Sequence, residues 1–543
     1  MRHVELTTEF RPGARRGSAL VLVAAALAVY VLPLAGRPPT TNPNELVRIE
    51  LAVALAELGT VDIEQPARVY GLSEDVARRD GRLLADKAPG LSIAAVPVVW
   101  FATALLPAQD GTGLPSYWPL RHVATAVAVA LATVLAAVLL GTAVGSATDT
   151  DWRPLFLLAA FTTPLWTYGT VFFGHAPAAA LITVAWIVLV GAGGRDDRRP
   201  RAGRALAGGL AAGAAIATEY PTVILVAVIL ATLLARRTPP RLVLLIAAGL
   251  AAGLLPVALY HQVAFGAPWL TGYAFKADEG FRTIHATGVS GVGWPTVDAL
   301  WGVLGSAARG LFFYAPILFT APVGLVVLAR RSGSRAVLPL ITATLAYFGF
   351  AAGFVDWQAG WCAAARHLTP VIPVLLIPVL TAAAAARRSP AWSGLVAALA
   401  AISVARVGLT VVLTPFFPPE FSHPLTQLVV PSLAQGFAAP TVISAVLGWP
   451  SLAIWLSLAA LLAAGLGWAA TRLAHEGTRW LWLVTAVALV GQLTWFVVQG
   501  RHVPPGLEGY RRQVLSGLGH HVSLGPGPVG ITPEAVTPDG RAR

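Results

Sequence analysis

The chain has 543 residues, 56% of them hydrophobic and only 12% charged, with 38 basic residues against 26 acidic ones and a net charge of +12. A soluble domain carries about twice that share of charge, so the composition excludes an ordinary globular enzyme and describes a polytopic membrane protein of mean hydropathy +0.69. The basic excess is no nucleic-acid signature, because the arginines fall in short runs between apolar segments, and the lone Cys362 excludes an internal disulfide.

Apolar runs of roughly 17 to 25 residues are long enough to cross a bilayer. The first, residues 17–35, is followed by no small-residue cleavage site and reads as a retained signal anchor after a cytoplasmic segment 1–16. A polar stretch, 36–119, comes next. Further runs fall near 120–144, 154–171, 175–193, 242–261, 310–329, 336–354, 368–386, 391–413, 446–469 and 480–498. Residues 205–235 supply two more, since Thr218, Glu219, Tyr220 and Pro221 interrupt the middle and predict two short helices meeting at a polar turn. The expected fold is therefore all-α and polytopic, with about thirteen transmembrane helices.

Arginine placement tests that count, because basic residues concentrate on the cytoplasmic side. Arg11, Arg15 and Arg16 precede the first span. Later clusters at 195–204, 236–241, 330–335, 387–388 and 472–479 all fall on that same side when thirteen spans are drawn. Leu91 to Pro107 is apolar enough to pass for another crossing, but counting it would move every later cluster outside, so it is expected at the interface. The layout places the N-terminus in the cytoplasm and puts a large first loop (36–119), a second loop (262–309) and a tail (499–543) outside, the tail expected to be poorly ordered beyond Arg512. This is a multi-pass protein of a bacterial plasma membrane, with a membrane module over 17–415 and further spans over 416–498.

In the first loop, Asn44 to Gly59 has apolar residues at helical spacing and predicts an amphipathic helix on the membrane surface. Glu45 sits in its first turn. It reads either as part of a capping box with Asn42 and Pro43, or as a general base acting on an acceptor hydroxyl at the bilayer surface. Asp86 and Lys87 precede a Pro-Gly turn, Lys87 reading as an anion ligand or as a snorkelling anchor. Lys87 and Lys276 are the only lysines among the 38 basic residues, the bias of a high-GC bacterial sequence.

Further along lie His175, Glu219, His261, Arg309, Arg366 and His367 at outer helix ends, and Arg406 within a span. Ionisable groups at membrane depth face a protein interior or a wet cavity, so each is either a structural hydrogen-bonding group or part of one outer-face site. Tyr273, Trp357 and Trp361 are stacking surfaces for a sugar, or belt aromatics. No His/Cys cluster has zinc spacing, and no Gly-rich loop followed by Lys and Ser/Thr suits ATP. No cofactor is called for; a divalent cation at Asp278 and Glu279 stays open.

Taken together, NPNELVRIELAVALAELGTVDI, DKAPGLSIAAVP, YGTVFFGHAPAAAL, GLAAGAAIATEYP, FGAPWLTGY, ARGLFFYAP and WQAGWCAAARHLTPVIP resemble, in order and sidedness, a bacterial member of the GT-C superfamily, akin to protein O-mannosyltransferases and aminoarabinose transferases. The resemblance covers roughly residues 17–415. It implies transfer of a sugar, with inversion, from a polyprenyl-phosphate donor to an extracytoplasmic glycan, lipid or protein acceptor, with membrane lipid as the other partner and no nucleic acid. Glu45 matches the family's catalytic carboxylate and Lys87 its donor-phosphate lysine, with Ala88 and Pro89 replacing a double proline. His175 stands where relatives carry an acid, and Ala363, Ala364 and Ala365 precede Arg366 where relatives show Gly-Pro-Arg. Lys87, Arg309, Arg366 and Arg406 would stabilise the leaving phosphate, while Asp86, His175, Glu219, Tyr273, Trp357, Trp361 and His367 would bind substrate. The competing classes are a transporter or flippase of a lipid-linked saccharide, a non-catalytic lipid-binding protein of the same fold, and an oligosaccharide ligase of another fold. A transporter predicts internal repeats with matched broken helices, and only 205–235 looks broken.

Overall fold

A computed structural model describes residues 12–33, 42–109, 111–192, 201–474, 483–488, 490–492, 494 and 505–517. Among the described residues, six helices are long and apolar enough to cross a membrane: Tyr117–Thr148, Pro240–Phe265, Ser334–Gly353, Arg366–Arg387, Pro390–Val412 and Ser451–Leu473. The other predicted runs also contain helix, in shorter pieces. Run 154–171 divides at Pro164 into Trp152–Phe161 and Leu165–Tyr168, and run 310–329 divides at Pro316 into Leu311–Tyr314, a 3-10 turn and Ala321–Ser332. Proline removes a backbone donor and crowds the preceding turn, which is why both divisions fall there. The arginines at 195, 198, 199 and 479 lie outside the described residues.

Two helices, Ala202–Thr218 and Val223–Ala235, meet at Glu219 and a 3-10 turn, as the sequence predicts. The first packs against Pro240–Phe265 through paired glycines. A Cβ on Gly209 or Gly213 would lie 2.2 or 2.3 Å from the carbonyl oxygens of Ile246 and Leu250, and one on Gly249 or Gly253 would lie 2.2 or 2.5 Å from those of Leu206 and Leu210. Only small residues let two membrane helices approach this closely. The contact fixes where Glu219 emerges.

Five helices and a hairpin frame the first loop: α1 (Pro12–Val31), α2 (Pro43–Glu57), α3 (Glu64–Tyr70), β1 (Val76–Arg79), β2 (Arg82–Ala85), α4 (Gly90–Leu105) and α5 (Tyr117–Ala124). Pro43 opens α2, and the Asn42 side chain caps it by accepting the Asn44 N–H at 3.0 Å. The helix is not on the surface as expected: Asn44 to Ala54 are all buried. One face packs Leu46, Ile49 and Val53 against Leu91, Ala95 and Leu120, and the other packs Val47, Leu51 and Ala54 against Leu84, Tyr260 and Phe265. With both faces covered, the alternating charges of α2 are enclosed.

The 16 residues of α4 span about 24 Å, short of a hydrocarbon core of ~30 Å. Leu91, Ala95, Val99 and Ala102 face the protein, while Trp100, Phe101 and Leu105 are exposed, the two-sided pattern of an interfacial helix. The hairpin departs from the all-α expectation. Asp80 and Gly81 both take positive φ, 50° and 75°, the two-residue turn that Asp-Gly favours. The tail also departs from expectation, since Glu508–Gly517 is helical, with Val514 and Leu515 buried; the rest of the tail lies outside the described residues.

Candidate functional site

The hairpin register carries chemistry to one place. Val76 pairs with Ala85, so Asp75, just before β1, lies beside Asp86 and Lys87, just after β2. A third segment joins at Ala77 and Lys276, where the Ala277 N–H donates to the Val76 carbonyl at 2.9 Å. Gly272 permits the approach, since a Cβ there would lie 2.5 Å from the Asp86 Cα. The two lysines of the chain therefore share two aspartates. Lys87 Nζ donates to Asp75 at 2.7 Å and lies 3.5 Å from Asp86; Lys276 pairs with Asp86 and lies 3.7 Å from Asp75. Burial pushes the Asp75 carboxyl up, but Lys87 and Lys276 outweigh it and hold the group below the usual carboxylate range. Burial likewise opposes charge on Lys87, and Asp75 and Asp86 overcome it to raise that pKa.

Above this network opens a cavity of about 620 Å³ whose walls include Asn44, Arg48, Glu74, Asp75, Lys87 and Lys276 on one side. His175, Glu219, Tyr273, Trp361, Arg366 and His367 line it too. His175 begins its helix, Glu219 follows the end of one, Arg366 begins another, and Thr414 and Phe416 follow a fourth. Helices that start at the cavity thus alternate with helices that end there, so all four meet it at one side of the bundle. Gln513 and Val514 of the C-terminal helix complete the wall.

Within the cavity, Arg48 forms a hub: Nε donates to Asn44 at 2.9 Å, Nη1 to the Ala88 carbonyl at 2.8 Å and Nη2 to Glu219 at 2.9 Å. His175 Nδ1 lies 3.6 Å from the same Glu219 oxygen. A Cβ on Gly174 would meet that oxygen at 2.3 Å, so the glycine makes room for it. Tyr273 stacks on His285 with centroids 4.1 Å apart and planes 4° from parallel; burial, Lys276 and Lys87 lower the His285 pKa to about 4. Arg366 lies 5.8 Å from the Phe173 ring, and its buried Nε has no hydrogen-bond partner among the described residues, nor do His175 Nε2 and His367 Nε2.

Five expected site residues stand off the cavity wall. Glu45, one residue from Asn44, points into the protein, where Oε1 accepts from Arg121 Nη2 at 2.5 Å and from the Phe172 N–H at 2.7 Å. It neither closes the expected capping box nor lines the cavity. Arg309 is 1% exposed and donates to the carbonyls of Gln358, Ala308, Gly360 and Phe417, serving as a brace for backbone that is not helical. Arg406 donates to the Phe313 carbonyl at 2.5 Å and to Gln492 at 3.0 Å. Asp86 lies beneath the cavity as the partner of both lysines, and Trp357 packs where a Cβ on Gly302 would meet its ring at 2.2 Å. Lys276, Arg48 and Asp75 were not expected. Lys276 is one of only two lysines in the chain, but its partners are about 200 residues away in sequence.

No group of three or more His, Cys, Asp or Glu residues placed to hold a metal ion occurs among the described residues. No protein-family model and no curated protein sequence matches the chain. Its fold is similar to that of two crystal structures of ArnT from Cupriavidus metallidurans. The apo form has 20% identity and a TM-score of 0.47 over 88% of this chain and 77% of that one. The form bound to undecaprenyl phosphate has 20% identity and a TM-score of 0.47 over 90% and 78%.

Proposed function

We propose that the protein is a glycosyltransferase that moves a sugar from a polyprenyl-phosphate donor to an extracytoplasmic glycan, lipid or protein, with inversion at the anomeric carbon. The observation that carries this reading is the meeting of Lys87, Lys276 and Arg366 on the wall of one cavity at the helix ends. An ammonium has three donors; Asp75 and Asp86 occupy two on Lys87, and Arg366 Nε is unspent. Such cations suit an anion that gains charge as it departs, as a lipid phosphate does when its bond to the anomeric carbon breaks. Tyr273 and Trp361 supply ring faces for the sugar. The protein crosses the bacterial plasma membrane thirteen times, N-terminus inside and tail outside, so the cavity opens on the outer side.

Mass spectrometry of lipids that co-purify with the protein in detergent identifies the donor, and release of polyprenyl phosphate from it measures turnover. Replacing Arg366 or Lys87 by Ala should weaken polyprenyl phosphate binding by ~10-fold or more, as loss of a charged hydrogen bond implies. A protein that binds such lipids but releases no polyprenyl phosphate from any of them would instead be a lipid-binding or lipid-moving protein.

A further inference from the structure

We infer that His175 is the general base of the transfer and that Glu219 orients it; this rests on the glycosyl-transfer reading and names the group that takes the acceptor's proton. His175 lines the cavity, and its Nε2 is buried without a hydrogen-bond partner among the described residues. Leaving a buried polar nitrogen unpaired costs free energy; a small turn of the ring toward the cavity on substrate entry would let a ligand hydroxyl satisfy it. The other ring nitrogen faces Glu219 Oε1 at 3.6 Å, just outside hydrogen-bond reach, a gap of the kind that closes when substrate fills a site. Arg48 holds that carboxylate from behind at 2.9 Å. Imidazole, carboxylate and guanidinium thus follow one another in contact, the arrangement in which a third group orients the base.

The other carboxylates are less suited. Asp75 is bound between two lysines, Asp356 accepts the Ala359 N–H at 3.2 Å, and Glu45 is spent on Arg121. Glu74 lines the cavity but is exposed, which makes it the rival to test. In the step itself, neutral His175 takes the hydroxyl proton at Nε2 while the acceptor oxygen bonds to the anomeric carbon. The bond from that carbon to the phosphate oxygen breaks, and its electron pair leaves on the lipid phosphate. The Nδ1 proton stays on the ring and is donated to Glu219, which stabilises the imidazolium. The Nε2 proton then passes to the departing phosphate, restoring the neutral ring.

The test uses full-length protein in nanodiscs with the donor identified from its own lipids. His175→Ala should bind undecaprenyl phosphate like wild type but lose ~10²- to 10⁴-fold in kcat, and added imidazole should restore part of the loss, which a structural role would not allow. Glu219→Gln keeps an oxygen for Arg48; it should lower kcat and shift the acid limb of the pH profile. The groups facing His175 that bear on that limb are Glu219, Arg48, Lys87, Arg366 and His367. Glu74→Gln should lose far less kcat than His175→Ala and keep the wild-type acid limb. Wild-type kcat in His175→Ala, no rescue by imidazole, or a loss confined to Glu74→Gln would overturn the assignment alone. A wild-type protein that cleaves no lipid-linked donor would remove the parent reading with it.

Discussion

Replacing Glu45 tests whether a residue that resembles a catalytic acid in sequence is a structural one in the fold. Its carboxylate and the Arg121 guanidinium are 4% and 1% exposed and 2.5 Å apart. Arg121 Nε and Nη1 already have no partner among the described residues, so the Glu45 contact carries most of the compensation for that buried charge. Removing one member of a buried pair costs about 3–5 kcal/mol, largely because the other charge is stranded. Glu45→Ala should therefore lower the apparent melting temperature of the purified protein sharply, whereas Glu45→Ala with Arg121→Leu should recover much of the loss. The two effects should be strongly non-additive in a double-mutant cycle. Glu45→Gln, which keeps an acceptor for the Phe172 N–H, should fall between. Turnover per folded molecule should survive in whatever fraction folds. A Glu45→Gln protein that melts like wild type and binds polyprenyl phosphate normally but transfers nothing would refute this reasoning and return Glu45 to the chemistry.

Two further outcomes follow from the same region. Gly174→Ala should abolish transfer while sparing polyprenyl phosphate binding, because its Cβ would press on Glu219 Oε1 at 2.3 Å and displace it from His175; overpacking of this kind also costs ~1–3 kcal/mol in stability, readable in a melt. Glu50, fully buried with both oxygens unpartnered among the described residues, has its carboxyl pushed up to about 8 by burial. Since the folded value lies above the unfolded one, the protein is favoured below the ordinary carboxylate range and loses stability as pH rises through about 8. Melting curves should decline across that window in wild type and flatten in Glu50→Gln; an unchanged slope in the variant would assign the decline to other groups.

The helices were legible because apolar runs and prolines act locally: the break at Glu219 is written in Thr218 to Pro221. The hairpin was not, since strands of four residues on either side of Asp80 and Gly81 are too short to show a clear alternation. Which side chain reaches the cavity is a finer question. Asn44 and Glu45 are neighbours on one helix, about 100° apart around its axis at 3.6 residues per turn, and only the packing of α2 between two apolar clusters decides which of them faces the site. Composition alone could not separate Arg309 and Arg406 from Arg366. All three are arginines at least half-buried among apolar segments, but two meet backbone carbonyls or an amide and one keeps a free donor. The Lys276 contact depends on a strand pairing across some 200 residues, for which no local pattern exists.

That pairing has a practical result. Lys87 and Lys276 are the only side-chain amines in the chain, and both abut the same two carboxylates. Reductive methylation with isotope-labelled formaldehyde would place just two side-chain reporters in a membrane protein of 543 residues, both beside the candidate phosphate site. Their NMR signals would follow donor binding with almost no background, turning a biased composition into a native spectroscopic probe.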